Sequence, residues 1–171
     1  MSRAEAQIAR EIIRDAGGRV VGRTRLQKIA YVLSASGLYN SFTFSYKHYG
    51  PFSEELATAA REAKLLGLVD ETEQMAAWGG SYSIFHVNAD IPAEVPQARL
   101  GLARLAAQAD AIALELAATA LFLSKEGIDD PWEETERRKP EKADQVHLQA
   151  AKDLYLQFRQ IPAPEPWPNI L

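Results

Sequence analysis

The chain has 171 residues, of which 47% are hydrophobic and 25% charged, and its formal net charge is −4. This composition is typical of one globular domain with its own core. Because the chain contains no cysteine, disulfides, thiolate zinc sites and a cysteine nucleophile are excluded. The N-terminus lacks a signal-peptide pattern, and no apolar run approaches the roughly 20 residues of a membrane span. The sequence therefore predicts a cytoplasmic protein with no membrane partner.

Two helices are predicted at the start of the chain. Residues 4–16 place their apolar side chains on one stripe with a 3.6-residue period, and a pair of glycines ends this helix. The stretch "RVVGR" that follows is compatible with one strand. The next helix is predicted to begin at Thr24, whose side chain would cap it while Gln27 reaches back, and to end at Gly37.

An extended segment and a third helix follow. Residues 41–49, "SFTFSYKHY", alternate polar with aromatic side chains and predict an extended chain that ends at Gly50-Pro51. Ser53 is expected to cap the third helix, which buries an apolar face. Two short runs then flank Gly79-Gly80, which is typical of a β-hairpin. The resulting order of helix, strand, helix, helix and hairpin is that of a winged helix-turn-helix.

The second half of the chain is predicted to be helical. Apolar residues recur every 3.5 positions over residues 102–123, which indicates one long helix or two stacked helices. This stripe could be core, or it could be the seam of a homodimer. Asp130 and Pro131 are expected to start a further helix, in which Trp132 is buried. Residues 141–160 form the last predicted helix.

These elements predict a mainly α fold with a minor β component. Residues 1–90 would form a winged-helix-like half with a short β-hairpin, and residues 91–160 a helical cover packed on it. Residues 161–171 hold four prolines and are expected to form an extended tail. The three parts together would make one compact domain.

Three motifs resemble those of a known family. "LQKIAYVL", "YGPFSEEL" and "DPWEE" occur here in the order found in the YwgA-like proteins, which are relatives of the Panacea domain, the SocA-type antitoxin module. The resemblance covers roughly half the chain. It implies an intracellular helical protein with a short hairpin. It also implies that the protein neutralises a toxin or adapts one protein to another. It carries over no catalytic residue and no cofactor.

The favoured function is therefore a non-enzymatic protein-interaction module with a protein partner. A DNA-binding regulator is the alternative, because a winged helix places its third helix in the major groove. However, Glu54 and Glu55 at the start of that helix would oppose the phosphates, and the hairpin tip has no Lys or Arg. An enzyme using His48 as a general base is third, since no nucleophile, metal or phosphate motif supports it.

Five residues are predicted to contact the partner: Arg19, Arg23, Arg25, Lys28 and Trp78. The four basic residues lie within ten positions that contain no acid, so they could dock an acidic partner or RNA, or could be a solvated face. Arg25 and Lys28 are expected to share an exposed face of the second helix. Trp78 at the hairpin tip could anchor an interface or pack back onto the long helix. No cofactor or metal site is expected.

Overall fold

A computed structural model describes residues 3–40 and 42–171. These residues form seven helices and five short strands, in chain order: α1 Arg3–Asp15, β1 Arg19–Val21, α2 Arg23–Ala35, β2 Ser45–Lys47, β3 Gly50–Phe52, α3 Glu54–Leu65, β4 Asp70–Met75, β5 Ser81–His86, α4 Gln97–Gln108, α5 Ala111–Lys125, α6 Pro131–Arg138 and α7 Gln145–Arg159. The predicted mainly α fold with a small antiparallel sheet is confirmed. None of these helices has the length and apolar character needed to cross a bilayer.

Helix α5 lies at the centre of the fold. Every residue from 113 to 121 is buried, and the helix contacts α2, α6, α7 and β3. The stripe over residues 102–123 is divided between α4 and α5, because the Asp110 side chain accepts a hydrogen bond from the Ala113 N–H and caps a new helix. Leu102, Leu116 and Leu123 of this stripe are buried in the core of the chain, whereas Leu105 and Ile112 are only partly buried.

A three-stranded antiparallel sheet has the order β1-β5-β4. The predicted hairpin at Gly79-Gly80 is confirmed by the pairing of β4 with β5. The short link after α1 is strand β1, in which the buried Val20 lies opposite the buried Phe85. Helix α1 packs on α3, and β1 pairs with β5. The first elements of residues 1–90 are therefore in contact with the later ones.

A second hairpin, β2–β3, corrects the sequence prediction. The segment over residues 41–49, whose first residue Ser41 lies outside the described part of the chain, was expected to end at Gly50-Pro51. Instead the chain turns and pairs back, with Tyr46 opposite Pro51. Gly50 permits this turn because it adopts φ 95°. A proline is tolerated in a two-stranded hairpin, where one edge needs no N–H.

The predicted cap of α2 is wrong, whereas those of α3 and α6 are confirmed. Ser53 and Asp130 accept hydrogen bonds from backbone N–H groups of α3 and α6. Thr24 lies inside α2, which begins at Arg23 without a side-chain cap. The Gln27 amide does not reach back, because it is buried and exchanges two hydrogen bonds, of 3.0 and 2.8 Å, with the Ser53 backbone. This exchange ties α2 to the start of α3.

The Pro-rich tail has no regular structure, yet it packs on the helices. The Trp167 ring stacks on Phe158 with the centroids 5.9 Å apart and meets the edge of Tyr155. Trp132, which is buried as predicted, donates its indole N–H to the Ile170 carbonyl at 2.9 Å. Through these contacts the tail packs, partly buried, against the core around α6 and α7.

Replacing Trp167 with alanine should lower the free energy of unfolding by about 3 kcal/mol, because a packed tryptophan is removed. Thermal denaturation measures the effect. Trp78→Ala is the matched control, since this tryptophan is 77% exposed and its loss should change the melting temperature little. Equally small shifts in both variants would contradict the packing of the tail.

Candidate functional site

Four of the five predicted contact residues surround one cavity. We call this cavity, of about 550 Å³, the wide cleft; the start of α2, the β2–β3 turn, the β4–β5 hairpin and the start of α5 line it. The predicted residues in its lining are Arg23, Arg25, Lys28 and Trp78. Arg19 is exposed on β1 and is not part of this lining.

The expected exposed face of α2 is wrong for two of its members. Lys28 is only 2% exposed, and its ammonium donates a hydrogen bond to the Pro51 carbonyl at 2.9 Å. Arg25 is half-buried and donates to three carbonyl oxygens at the end of α4, the shortest at 2.7 Å from Ala109. Lys28 is buried because all residues from 26 to 33 are buried and α2 has no solvent face there. Arg25 is half-buried because its guanidinium is held against the end of α4.

Arg23 is exposed, as predicted, and is positioned by the hairpin. Its guanidinium donates two hydrogen bonds, of 3.1 and 2.8 Å, to one carboxylate oxygen of Glu71. The Ser83 hydroxyl donates to the same oxygen at 2.6 Å. Burial would raise the pKa of Glu71, but the hydrogen bonds from Ser83 and Arg23 outweigh it and hold this pKa below its ordinary value. Arg23 is therefore oriented at the edge of the wide cleft.

Trp78 is 77% exposed at the tip of the β4–β5 hairpin. Its ring lies against Gly80, where an added Cβ would be 1.6 Å from a ring carbon. The indole therefore rests on the hairpin backbone and does not pack back onto α4 and α5. Met75 and Tyr82 are also exposed on this hairpin, so its tip presents an apolar surface beside the cleft.

A buried charge cluster forms the floor of the wide cleft. Glu115, which is 5% exposed in α5, accepts hydrogen bonds from Lys142 at 3.0 Å to each carboxylate oxygen. Lys139 lies 3.0 Å from the same carboxylate and also donates to the His48 carbonyl at 2.9 Å. Lys28 lies close enough to this cluster for its charges to affect the pKa of Lys28. Burial lowers the pKa of Lys28 to about 8, with Glu115 opposing and both other lysines adding to the shift.

The cluster was missed by the sequence analysis, although one signal was present. Glu115 stands alone in the apolar run "AIALELAATAL". A carboxylate within a buried helix has to be paired with a cation. The sequence does not reveal which of the distant lysines supplies it.

A smaller cavity adjoins the wide cleft. It has a volume of about 330 Å³, and we call it the apolar pocket. Both cavities have the same four residues in their linings: Arg23, Thr24, Lys28 and Tyr49. The apolar part of the remaining wall comes from side chains of α2, α3, β3 and β5, and five polar or charged side chains also line it: Gln27, Lys47, Glu54, Arg61 and Glu71.

The His48 region lies on the surface. His48 and Tyr49 form the exposed β2–β3 turn, and it is the backbone carbonyl of His48 that accepts a hydrogen bond from Lys139. Among residues 3–40 and 42–171, no group of three or more His, Asp or Glu side chains is arranged to hold a metal ion.

No protein-family model, no curated protein and no solved structure matches the chain. The resemblance to the YwgA-like and Panacea proteins therefore stays a prediction that rests on three motifs. The structure does bring two of them into contact, because Gln27 and Lys28 of the first motif hydrogen-bond the backbone of the second.

Replacing Lys28 with methionine should remove a specific pH dependence of stability. The pKa falls from 10.5 in the unfolded chain to about 8 in the folded one. Between these pH values the unfolded chain binds more protons, so the contribution of Lys28 to the free energy of unfolding rises with pH. The parent should therefore gain on the order of 3 kcal/mol relative to Lys28→Met over this range.

Denaturant unfolding at several pH values measures this difference. Both proteins contain the same tyrosines, so the effect of tyrosine ionisation on stability cancels in the comparison. At neutral pH two changes oppose each other in the variant, because a buried charge is removed but the hydrogen bond to the Pro51 carbonyl is lost. The test is therefore the dependence of the difference on pH and not its value at one pH. Parallel stability curves for the two proteins between pH 8 and 10.5 would show that Lys28 does not have this lowered pKa.

Replacing Gly50 with alanine should destabilise the fold by about 2 kcal/mol or more. Its φ is positive, and an added Cβ would lie 2.5 Å from the Thr119 hydroxyl oxygen of α5. Gly67→Ala is the control, because Gly67 also has a positive φ but open space around it. Thermal melts should show a larger loss at Gly50; equal losses would mean that the contact with Thr119 carries no cost.

Proposed function

We propose that this chain is a non-enzymatic interaction module that binds a partner protein across the wide cleft. Its role would be antitoxin-like or adaptor-like, as the family resemblance implies. The observation that carries the proposal is the exposed indole of Trp78 at a cleft that Arg23 also lines. Tryptophan, tyrosine and arginine dominate the binding energy of protein interfaces, and Tyr49 and Tyr82 line the same cleft.

The charges of the cleft favour a partner with acidic groups. Four basic side chains line it, against the two carboxylates of Glu73 and Glu115. Because Lys28 is buried and Arg25 half-buried, the exposed Arg23 is the cation that an approaching partner meets first. Charge complementarity of this kind increases the association rate and the specificity more than the affinity.

The finer fold assignment is also a proposal. We infer that the first half is winged-helix-like, with β4–β5 as the wing and α4 to α7 as its helical cover. The sheet order β1-β5-β4 and the packing of α1 on α3 support it. The additional hairpin β2–β3 stands between α2 and α3, where a winged helix has its turn.

DNA binding is the second candidate, and the order of the elements is what favours it. The surface opposes it, because Glu54 and Glu55 are exposed at the start of α3. Strand β4 adds Asp70 and Glu73 to the exposed carboxylates, and the hairpin tip is apolar. Repulsion from DNA phosphates at these positions would remove the electrostatic part of the affinity.

The interaction is tested with the protein that co-purifies from the native host, by surface-binding kinetics against the parent and two variants. Trp78→Ala should weaken the affinity by about tenfold or more, mainly through faster dissociation. Arg23→Gln should slow association, and this effect should shrink at high salt. Arg104→Gln, which changes an exposed arginine of α4 outside both cavities, is the matched control and should bind as the parent does.

Two outcomes would contradict the proposed function. The first is that both folded variants bind the partner at the parent's rates, which would place the interface elsewhere. The second is submicromolar, sequence-dependent binding of duplex DNA at physiological salt, which would favour the regulator.

A further inference from the structure

The apolar pocket has the dimensions and walls of a small-molecule site. Its volume of about 330 Å³ lies at the lower end of the range of roughly 300–1,000 Å³ that is usual for such sites. Leu26, Leu56 and Phe85 line it and are at most 3% exposed. The side chains of Phe52 and Ala60 complete the apolar wall.

The charges that line this pocket do not cancel. Four cations lie in the lining against two carboxylates. Each carboxylate already has a cation beside it: Arg23 for Glu71, and Lys47 for Glu54 at 3.8 Å. The two remaining cations, Lys28 and Arg61, form no salt bridge with any residue that the structure describes. Within the described part of the chain, Arg61 donates only to the Thr58 hydroxyl at 3.3 Å.

Lys28 has hydrogen-bonding capacity left over in a place that water reaches poorly. An ammonium group carries three N–H donors, and one of them goes to the Pro51 carbonyl. With 2% of the residue exposed, the solvent cannot fully replace the missing acceptors. Burial lowers the pKa of Lys28 to about 8, as expected for a charge that is incompletely compensated. An anionic oxygen beside this ammonium would supply the compensation.

We propose that the apolar pocket binds a small carboxylic acid, whose carboxylate meets Lys28 and whose apolar body lies against Leu56, Ala60 and Phe85. The volume limits the ligand to about a dozen heavy atoms. A phosphate dianion fits less well, because the apolar side chains of the wall offer its oxygens no hydrogen bonds. The proposal concerns the chain by itself and does not depend on the partner protein.

Isothermal titration of the purified chain with octanoate tests the proposal, and octanamide serves as the uncharged match. Octanoate should bind at least about tenfold more tightly than octanamide, since a charged hydrogen bond is lost in the amide. Lys28→Met should weaken octanoate binding by a similar factor. Ala60→Phe should fill the pocket and abolish binding. Lys64→Met, which removes an α3 cation outside the pocket lining, should bind as the parent does.

A direct measurement on the parent chain guards against variants that fail to fold. On addition of octanoate, the backbone amide resonances of Ala60 and Phe85 should shift, whereas that of Val146, an exposed residue of α7, should not. Three results would overturn the proposal: no heat and no shifts at millimolar octanoate, equal binding of octanamide, or undiminished binding to folded Lys28→Met. Binding of a peptide with an amidated C-terminal leucine, together with no binding of octanoate, would also overturn it and would assign the pocket to the partner interface.

Discussion

The buried carboxylate of Glu115 is the constraint around which this molecule is arranged. A charge in the middle of a central helix is tolerated only when cations approach it from neighbouring elements. Lys139 and Lys142 come from the end of α6 and the segment after it, which fixes that part of the cover to α5. Lys139 also holds the His48 carbonyl, and Lys28 holds that of Pro51. Two ammonium groups therefore hold the turn and strand β3 of the β2–β3 hairpin against α5.

These two hydrogen bonds determine which parts of residues 46–56, "YKHYGPFSEEL", pack inward and which lie at the surface. The backbone of the turn faces inward, so close to α5 that only glycine fits at Gly50. The side chains of the turn are consequently directed outward, and Tyr49 is 57% exposed with the Lys142 ammonium 4.8 Å from its ring centroid. Tyr46 is half-buried beneath the Arg138 guanidinium. This aromatic segment thus covers the charge cluster, and its Tyr49 forms part of the wall of both cavities.

Local patterns predicted what local forces determine. Helical periodicity, the Ser53 and Asp130 caps and the Gly79-Gly80 hairpin depend on neighbours within a few residues, and all were found. The Thr24 cap is the exception, because Gln27 bonds the distant Ser53 backbone instead. The burial of Lys28 depends on Pro51, 23 positions away, and on the field of Glu115, which no local pattern contains. Docking of the tail depends in the same way on Trp132 and Phe158. For the candidate site, the basic residues of the sequence lie at the start of α2, but Arg23 is the one of the four that combines the expected exposure with a place at the cleft.

Lys28, which looked like surface charge in the sequence, links the two sites. It lines both the wide cleft and the apolar pocket, as Arg23 and Tyr49 do. Each site also has a residue that the other lacks: Trp78 lines only the cleft, and Ala60 lines only the pocket. An anion bound to Lys28 in the pocket would reduce the positive potential that a partner meets in the cleft, because the Lys28 ammonium lines both cavities. The molecule's two candidate binding sites are therefore electrostatically coupled through Lys28, while Trp78 and Ala60 allow each of them to be changed alone.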